Sequence, residues 1–476
     1  MTAGRTDAPG PATAPDAGKT PLPRGLGRRF WILFASSTVS NLSDGVGKVA
    51  LPLLAVTLTQ DPVLVAALTS LTILPWLMFA IVSGALVDRV DRRRAMIAAQ
   101  LVRTVIVGLL AAAVLAGQAA LWMLYAAAFT LGAVETLYDN AAHSMTPSVV
   151  RRDQLEKANG RVEAASVVAD GFLGAPLASA LFVVAAAWPF LANSLGFLLA
   201  GVVLLLLPGR YRAGRTAERA DGHAAGPEGG RGSGHAAGGA DGHPAGHPGE
   251  PESGQAGGAV EGRSANLRAE MAEGLRWFWN HRLIRGLTVV ASLTGAAFQA
   301  MMSVMVLFVT DVLELPAAAF GWFVLASAAG GVAGGLVVPV LVRRWSRAVV
   351  MGVALTVPGA CFVLIGAFPS PAALAVAMAL GGGALLVWNV LVMSVRQALV
   401  PPHLFGRVLG AIRTVLWGLM PLGALAGGLV GRAYGLQTLA VVCGCLLLAL
   451  MVPLSLTLHR HGALLRALSR PDTVDT

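Results

Sequence analysis

The sequence predicts an all-α membrane protein of twelve transmembrane helices in two pseudo-symmetric six-helix bundles. Three observations lead there. The composition is 55% hydrophobic and only 13% charged over 476 residues, with positive mean hydropathy, unlike a soluble multidomain chain. A span needs roughly 20 mostly apolar residues, and about twelve such runs are present, centred near residues 44, 74, 106, 131, 172, 198, 298, 330, 357, 384, 419 and 448. The basic residues recur in every second connection, as the positive-inside bias requires of a polytopic chain.

Taken in order, the chain opens with residues 1–27, a tail of Ala, Pro, Gly and Thr with no apolar core. It is expected to be disordered and carries no cleavable leader. Its Gly18-Lys19-Thr20 lacks both the earlier glycine and the preceding strand of a phosphate loop, so no nucleotide site is expected. Residues 28–208 hold the first six spans and 285–459 the second six. Between them, residues 209–266 are rich in Gly, Ala, His, Pro and Glu and read as a disordered linker. Four of its residues are His223, His235, His243 and His247, but nothing preorganises them as metal ligands. Residues 267–284 mix Leu267, Met271, Leu275, Phe278 and Trp279 with arginines and glutamates, the pattern of an amphipathic surface helix. A tail over 460–476 follows the last span.

The net charge of +10 is a topology signal because of where it sits. Arg24, Arg28 and Arg29 precede the first span, and clusters at Arg89 to Arg94, Arg151 to Arg161, Arg210 to Arg219, Arg343 to Arg347, Arg407 and Arg460 to Arg470 follow alternate spans. Both termini and the linker are therefore expected to be cytoplasmic in a bacterial inner membrane. Nucleic acid is excluded as a partner. The three cysteines lie in apolar runs and form neither a disulfide framework nor a metal site. No cofactor is expected, and no nucleophile, metal or phosphate motif supports an enzyme.

Gly84-Ala-Leu-Val-Asp88-Arg89-Val-Asp-Arg92-Arg93-Arg94 sets a dense charge cluster between two spans. It resembles the loop between the second and third helices of major facilitator superfamily transporters, matching at Gly84, Leu86, Asp88, Arg89 and Arg92, with Arg93 keeping the basic type. Asp91 departs from the pattern, standing where a glycine eases the turn. The resemblance implies the major facilitator fold, and that Asp88 closes the cytoplasmic side by facing the start of the eleventh span, where Arg407 lies. The halves echo one another: Val149 to Gly160 is similar to Leu399 to Gly410, about 250 residues on. Ser40 to Leu53 and Thr146 to Asn159 resemble the branch of exporters related to the enterobactin exporter and macrolide efflux pumps. The glycine-rich frame of drug antiporters survives in the fifth span as Gly171 and Pro176, with small residues at the other positions.

Charges within spans cost about 2.5 to 3.5 kcal/mol each on insertion scales. They fall mostly in the first half: Asp44, Lys48, Arg103, Glu135, Asp139, Glu163 and Asp170. At 1.5 Å per residue, Arg103 lies about 12 Å and Asp139 about 10 Å in from the cytoplasmic side, so those two are expected to pair. Asp44 and Lys48 are spaced to meet on one helix face. Glu135 and Asp170, each roughly 16 Å deep, lack an evident basic partner. A carboxyl group that water reaches alternately from the two sides can exchange protons, which is what proton antiport requires; a purely structural network is the competing reading. In the second half, Gln299, Met302, Trp388 and Asn389 are candidate pocket residues.

The function expected is export of an amphipathic small molecule against inward proton flow, by rocking of two halves in the membrane lipid. An importer on the same fold and a non-transporting receptor or scaffold are the alternatives. Substrate identity and oligomeric state are not legible.

Overall fold

The computed structural model describes residues 26–151, 154–209, 211, 273, 275–401 and 404–460. Twelve long helical passages account for nearly all of them. They are α1 Gly27–Leu58, α2 Pro62–Arg89, α3 Arg92–Leu115, α4 Leu121–Val149, α5 Leu155–Val184, α6 Trp188–Leu205, α7 Arg282–Ser303, α8 Phe320–Arg344, α9 Arg347–Ala367, α10 Pro371–Leu399, α11 Phe405–Tyr434 and α12, which runs from Leu436 to His459. Eleven are long and apolar enough to cross a membrane. The exception is α1, which has the length but spends it on Ser36, Ser37, Ser40, Ser43, Asp44 and Lys48. Among the described residues there is no strand.

Local chemistry fixes the helix ends. Asp91 accepts from the Arg94 N–H, Ser346 from Val349 and Ser370 from Ala373, satisfying first-turn donors of α3, α9 and α10. Between α11 and α12 the chain turns on Gly435 at φ 86°, a conformation that suits glycine. The fifth passage is irregular: Val167–Gly174 is a π-helical segment that ends just before Pro176. Proline lacks an N–H and crowds the carbonyl four residues back, so the regular ladder cannot run through it.

Helix neighbours repeat with a shift of six. In the first half α1 lies beside α5 and α6, α2 beside α4, and α3 beside α4 and α6; in the second, α7 lies beside α11 and α12, α8 beside α10, and α9 beside α10 and α12. The chain is thus a multi-pass membrane protein of two six-helix bundles with one topology. Small residues set the closest crossings. A Cβ on Gly334 would fall 2.7 Å from the Gly383 Cα, Gly330 backs onto the Ala379 carbonyl, and a Cβ on Gly174 would fall 2.6 Å from the Gly45 Cα.

The halves meet through α2 with α11 and α5 with α8. Their described contacts gather toward one end. Asp61 pairs with Arg432 at 3.3 Å, the Ser70 hydroxyl donates to the Pro421 carbonyl at 2.9 Å, and Gly428 lies against Pro62, Val63 and Ala66. Gly321 abuts Ala175 and Ser179, and Trp76 and Trp417 meet midway with ring centroids 5.3 Å apart. At the opposite end Gly160 and Gly410, the equivalent glycines of the two halves, face open space. Among the described residues the contacts between the halves thus lie at the Asp61 end and midway.

The helix predicted over 267–284 is described from Leu275 to Asn280. Phe278 is buried against Ile284, Val400, Leu404 and Val408 while Trp279 is exposed, so the segment is anchored to the second bundle. The seventh span begins at Arg282 rather than 285. Nearly all of the 1–27 and 460–476 tails and of the 209–266 linker, including its histidines, lie outside the described residues.

Candidate functional site

The charges of the first half converge at mid-span from four helices, but not in the pairs that depth along the helices predicts. Arg103 on α3 is fully buried, and its Nη1 donates to Asp44 Oδ2 at 3.4 Å and Ser40 Oγ at 3.3 Å, both on α1. Gln100 Nε2 donates to the same Ser40 hydroxyl at 2.8 Å. The guanidinium is flanked by the rings of Tyr138 and Phe197, with centroids 5.2 and 5.1 Å away, which shield it from water and favour a cation on their faces. Asp44, not Asp139, is therefore the partner of Arg103, and this set ties α1, α3, α4 and α6 together.

Asp170 likewise has a partner that its depth did not reveal. Lys48 Nζ lies 2.6 Å from Asp170 Oδ2, so Lys48 reaches across to α5 instead of pairing along α1 with Asp44. The two pairs differ in access: side-chain exposure is 48% and 31% for Lys48 and Asp170, against 1% and 14% for Arg103 and Asp44. A half-exposed ion pair at mid-span cannot face lipid without large cost, so it faces the space between the halves. Asp170 sits in the π segment, whose neighbouring Gly171 approaches α8 of the other half, a Cβ there falling 3.9 Å from the Ala328 Cβ. Glu135 and Asp139, one turn apart on α4, are partly buried, and their charge bears on both Lys48 and Arg103. Four carboxylates thus meet two cations.

The predicted gate is only partly in view. Gly84, Asp88 and Arg89 lie in the last turns of α2, and their side chains lie outside the described residues. The described hydrogen bonds of Arg92 and Arg93 stay within the first half. Arg92 Nη1 donates to the Ser144 carbonyl at 2.9 Å; Arg93 donates to the carbonyls of Leu204 and Leu205 at 3.0 and 2.9 Å, capping the C-terminus of α6. Asp91, the departure from the family pattern, also accepts from the Tyr211 N–H at 3.2 Å. This loop braces its own bundle. Arg407 pairs with Glu273, just ahead of α7, at 2.8 Å.

The helix-packing and pocket candidates lie in different surroundings. Gly171 has only the Ala328 Cβ within 3.9 Å, so the tight α1–α5 crossing rests on Gly45 and Gly174 instead. Trp388 is 4% exposed within the second-half core, with Met302 packed against that core. Gln299 is partly buried and Asn389 exposed. Two further cations lie inside spans of the second half. Arg396 is buried in the last turn of α10 with its Nε unpartnered, and Arg413 is exposed on α11, one turn before Trp417.

Comparison with known proteins accounts for this architecture. The chain is 27% identical over 436 residues to the multidrug efflux pump Tap of Mycobacterium tuberculosis, covering 88% of this chain and 91% of that one. It is 29% identical over 170 residues to the pump of that name from Mycolicibacterium fortuitum, covering 36% and 41%. Solved structures with the same fold include the nucleoside transporter NupG, with a TM-score of 0.63 at 13% identity over 90% of this chain and 99% of that one. A bacterial homologue of the iron transporter ferroportin in an inward-facing state gives 0.64 at 16% identity over 90% and 98%. A family model described as Major Facilitator Superfamily matches residues 33–422, so the chain belongs to that superfamily and is a membrane transporter, not an enzyme.

Proposed function

We propose that the protein exports an amphipathic small molecule across the cytoplasmic membrane in exchange for protons, with both termini in the cytoplasm. The observation that carries this reading is the water-accessible Lys48–Asp170 pair at mid-span, with Glu135 and Asp139 beside it. Carboxylates in excess of cations, at a depth that either side of the membrane can reach in turn, are a means of coupling proton movement to a conformational change. The buried Arg103–Asp44 pair holds the first bundle rigid around them. The side of the basic connections is the cytoplasm by the positive-inside bias, so the substrate enters from there, and the contacts at the Asp61 end must separate for release. Likeness to a multidrug efflux pump supports export. Asp88 remains the proposed gate on the cytoplasmic side, and Gln299 and Asn389 the polar groups of the second-half wall.

Inside-out membrane vesicles test the direction. Lipophilic dyes and antibiotics should accumulate in vesicles carrying the protein when an inward-acid proton gradient is imposed, and collapse of the gradient should stop it. Uptake that is indifferent to the gradient, or movement only in the reverse sense, would remove the reading.

A further inference from the structure

The two ion pairs at mid-span do different work, and geometry separates them. The Arg103–Asp44 pair is shielded by two rings, anchored by the Ser40 hydroxyl and almost closed to water, as a structural clamp should be. The Lys48–Asp170 pair is open to water on both partners. Exposed ion pairs contribute little to stability. Nor is this one needed to hold α1 to α5, because those helices already meet backbone to backbone, a Cβ on Gly45 falling 2.8 Å from the Asp170 Cα. Asp170 is also displayed by a π-helical segment, an irregularity that recurs at functional sites. A half-exposed ammonium with a long, flexible stem therefore occupies a carboxylate more accessible than Asp44 without a structural need to do so. It also has somewhere else to go: Glu135, partly buried and with no hydrogen-bond or ion-pair partner among the described residues, is one of the carboxylates whose charge bears on Lys48.

We propose that Asp170 is the binding site for a positively charged group of the substrate, and that Lys48 is its built-in occupant. In the empty protein the Lys48 ammonium stands where the cationic group will bind. An entering organic cation displaces it, and Lys48 swings to Glu135, so that both carboxylates stay neutralised with the site full. Lys48 thereby keeps Asp170 paired in the empty protein and Glu135 paired in the loaded one, so the incoming cation does not leave Lys48 without a carboxylate. The inference rests on the reading of this cluster as the substrate and coupling site, and adds to it a substrate class and an internal competitor.

The test is equilibrium binding to purified full-length protein in detergent, which needs no transport. The probes are tetraphenylphosphonium, a permanent cation, and Nile red, a neutral dye. Removing the competitor with Lys48→Met should tighten tetraphenylphosphonium binding about fivefold, the return of a displacement cost typical of exposed pairs. Lys48→Arg should stay within about twofold of the parent, because a competitor remains. Asp170→Asn should weaken the cation at least about fivefold while Nile red binds all three variants and the parent alike. If Lys48→Met does not fold, Lys48→Gln and Asp170→Asn carry the same contrast. Binding of the cation that is unchanged or weaker without Lys48, or unchanged without the Asp170 charge, overturns the proposal. The binding series succeeding while vesicles show no gradient-driven export would sink the export reading alone; export with a flat binding series would sink this inference alone.

Discussion

The two bundles have the same helix order and nearly opposite interiors. In the second, α8 and α10 meet through Gly330, Gly334, Gly382 and Gly383, and an extended apolar core reaches from Leu283 to Leu458, joined by Val46 to Val56 of the first and supplemented by a smaller cluster around Phe278 and Val408. In the first, the apolar core is broken into separate clusters and the middle is given to Ser40, Asp44, Lys48, Gln100, Arg103, Glu135, Asp139 and Asp170. Shared topology shows that the fold needs only apolar spans and small residues at crossings. The charges of the first bundle are therefore not a requirement of the fold, and their insertion cost has to be offset by pairing or by a task. The buried Arg103–Asp44 pair exemplifies the first remedy and the open Lys48–Asp170 pair the second.

Several substitutions would break or sharpen that contrast. The largest effect is expected at Arg103. Arg103→Met should lower stability by about 3–5 kcal/mol, since it strands Asp44 and unties four helices. Adding Asp44→Asn should restore much of the loss, because the uncompensated charge is then gone. Thermal melting of the detergent-solubilised variants measures both; equal melting of Arg103→Met and the parent would mean the pair is no clamp. In the second bundle the sensitive positions are glycines. Gly334→Val should cost about 1–3 kcal/mol by driving α8 off α10, with little effect from charge changes in the same region. Expression with a retained monodisperse peak would argue that the crossing can relax.

A smaller, functional effect is expected at the cytoplasmic end. Asp88→Asn should leave folding intact but bias the two gating states, and a change of about 1.4 kcal/mol would alter their ratio tenfold. Cross-linking of cysteines placed in the α2–α3 loop and beside Arg407 would report it; equal cross-linking and transport in variant and parent would make Asp88 a solvated loop charge. The smallest effect belongs to Gly171→Ala, within about 0.5 kcal/mol, since an added methyl group meets only Ala328 at 3.9 Å.

What was legible in the sequence follows the same division. Span number, the parallel halves and membrane placement depend on run length and on apolar content, both one-dimensional properties. Which charges meet depends on the angle each side chain takes around its helix and on which helices are neighbours, and depth alone supplies neither. Arg103 and Asp139 match in depth, yet Asp44 is the one Arg103 meets because α1 packs beside the α3–α4–α6 cluster. Lys48 and Asp44 share a face of α1, but Asp170 lies closer across the Gly45–Gly174 crossing. The π segment explains why Gly171 misled: its wider turns rotate later residues, so Gly174 meets α1 where the regular frame would place another position. Arg93 could have been read as a cap only with knowledge that α6 ends beside the start of α3.

The claim that the first bundle's mid-span carboxylates couple protons to substrate is tested most directly by two assays on one variant in proteoliposomes. Glu135→Gln keeps the shape of the side chain but cannot exchange a proton. Exchange of labelled for unlabelled substrate needs alternating access alone and should continue in the variant near the parent's rate. Accumulation driven by a proton gradient needs the coupling and should fall at least about tenfold, on the scale expected for losing a positioned proton-transfer group. Gradient-driven accumulation that survives at the parent's level, with the parent's dependence on the gradient, would contradict the account.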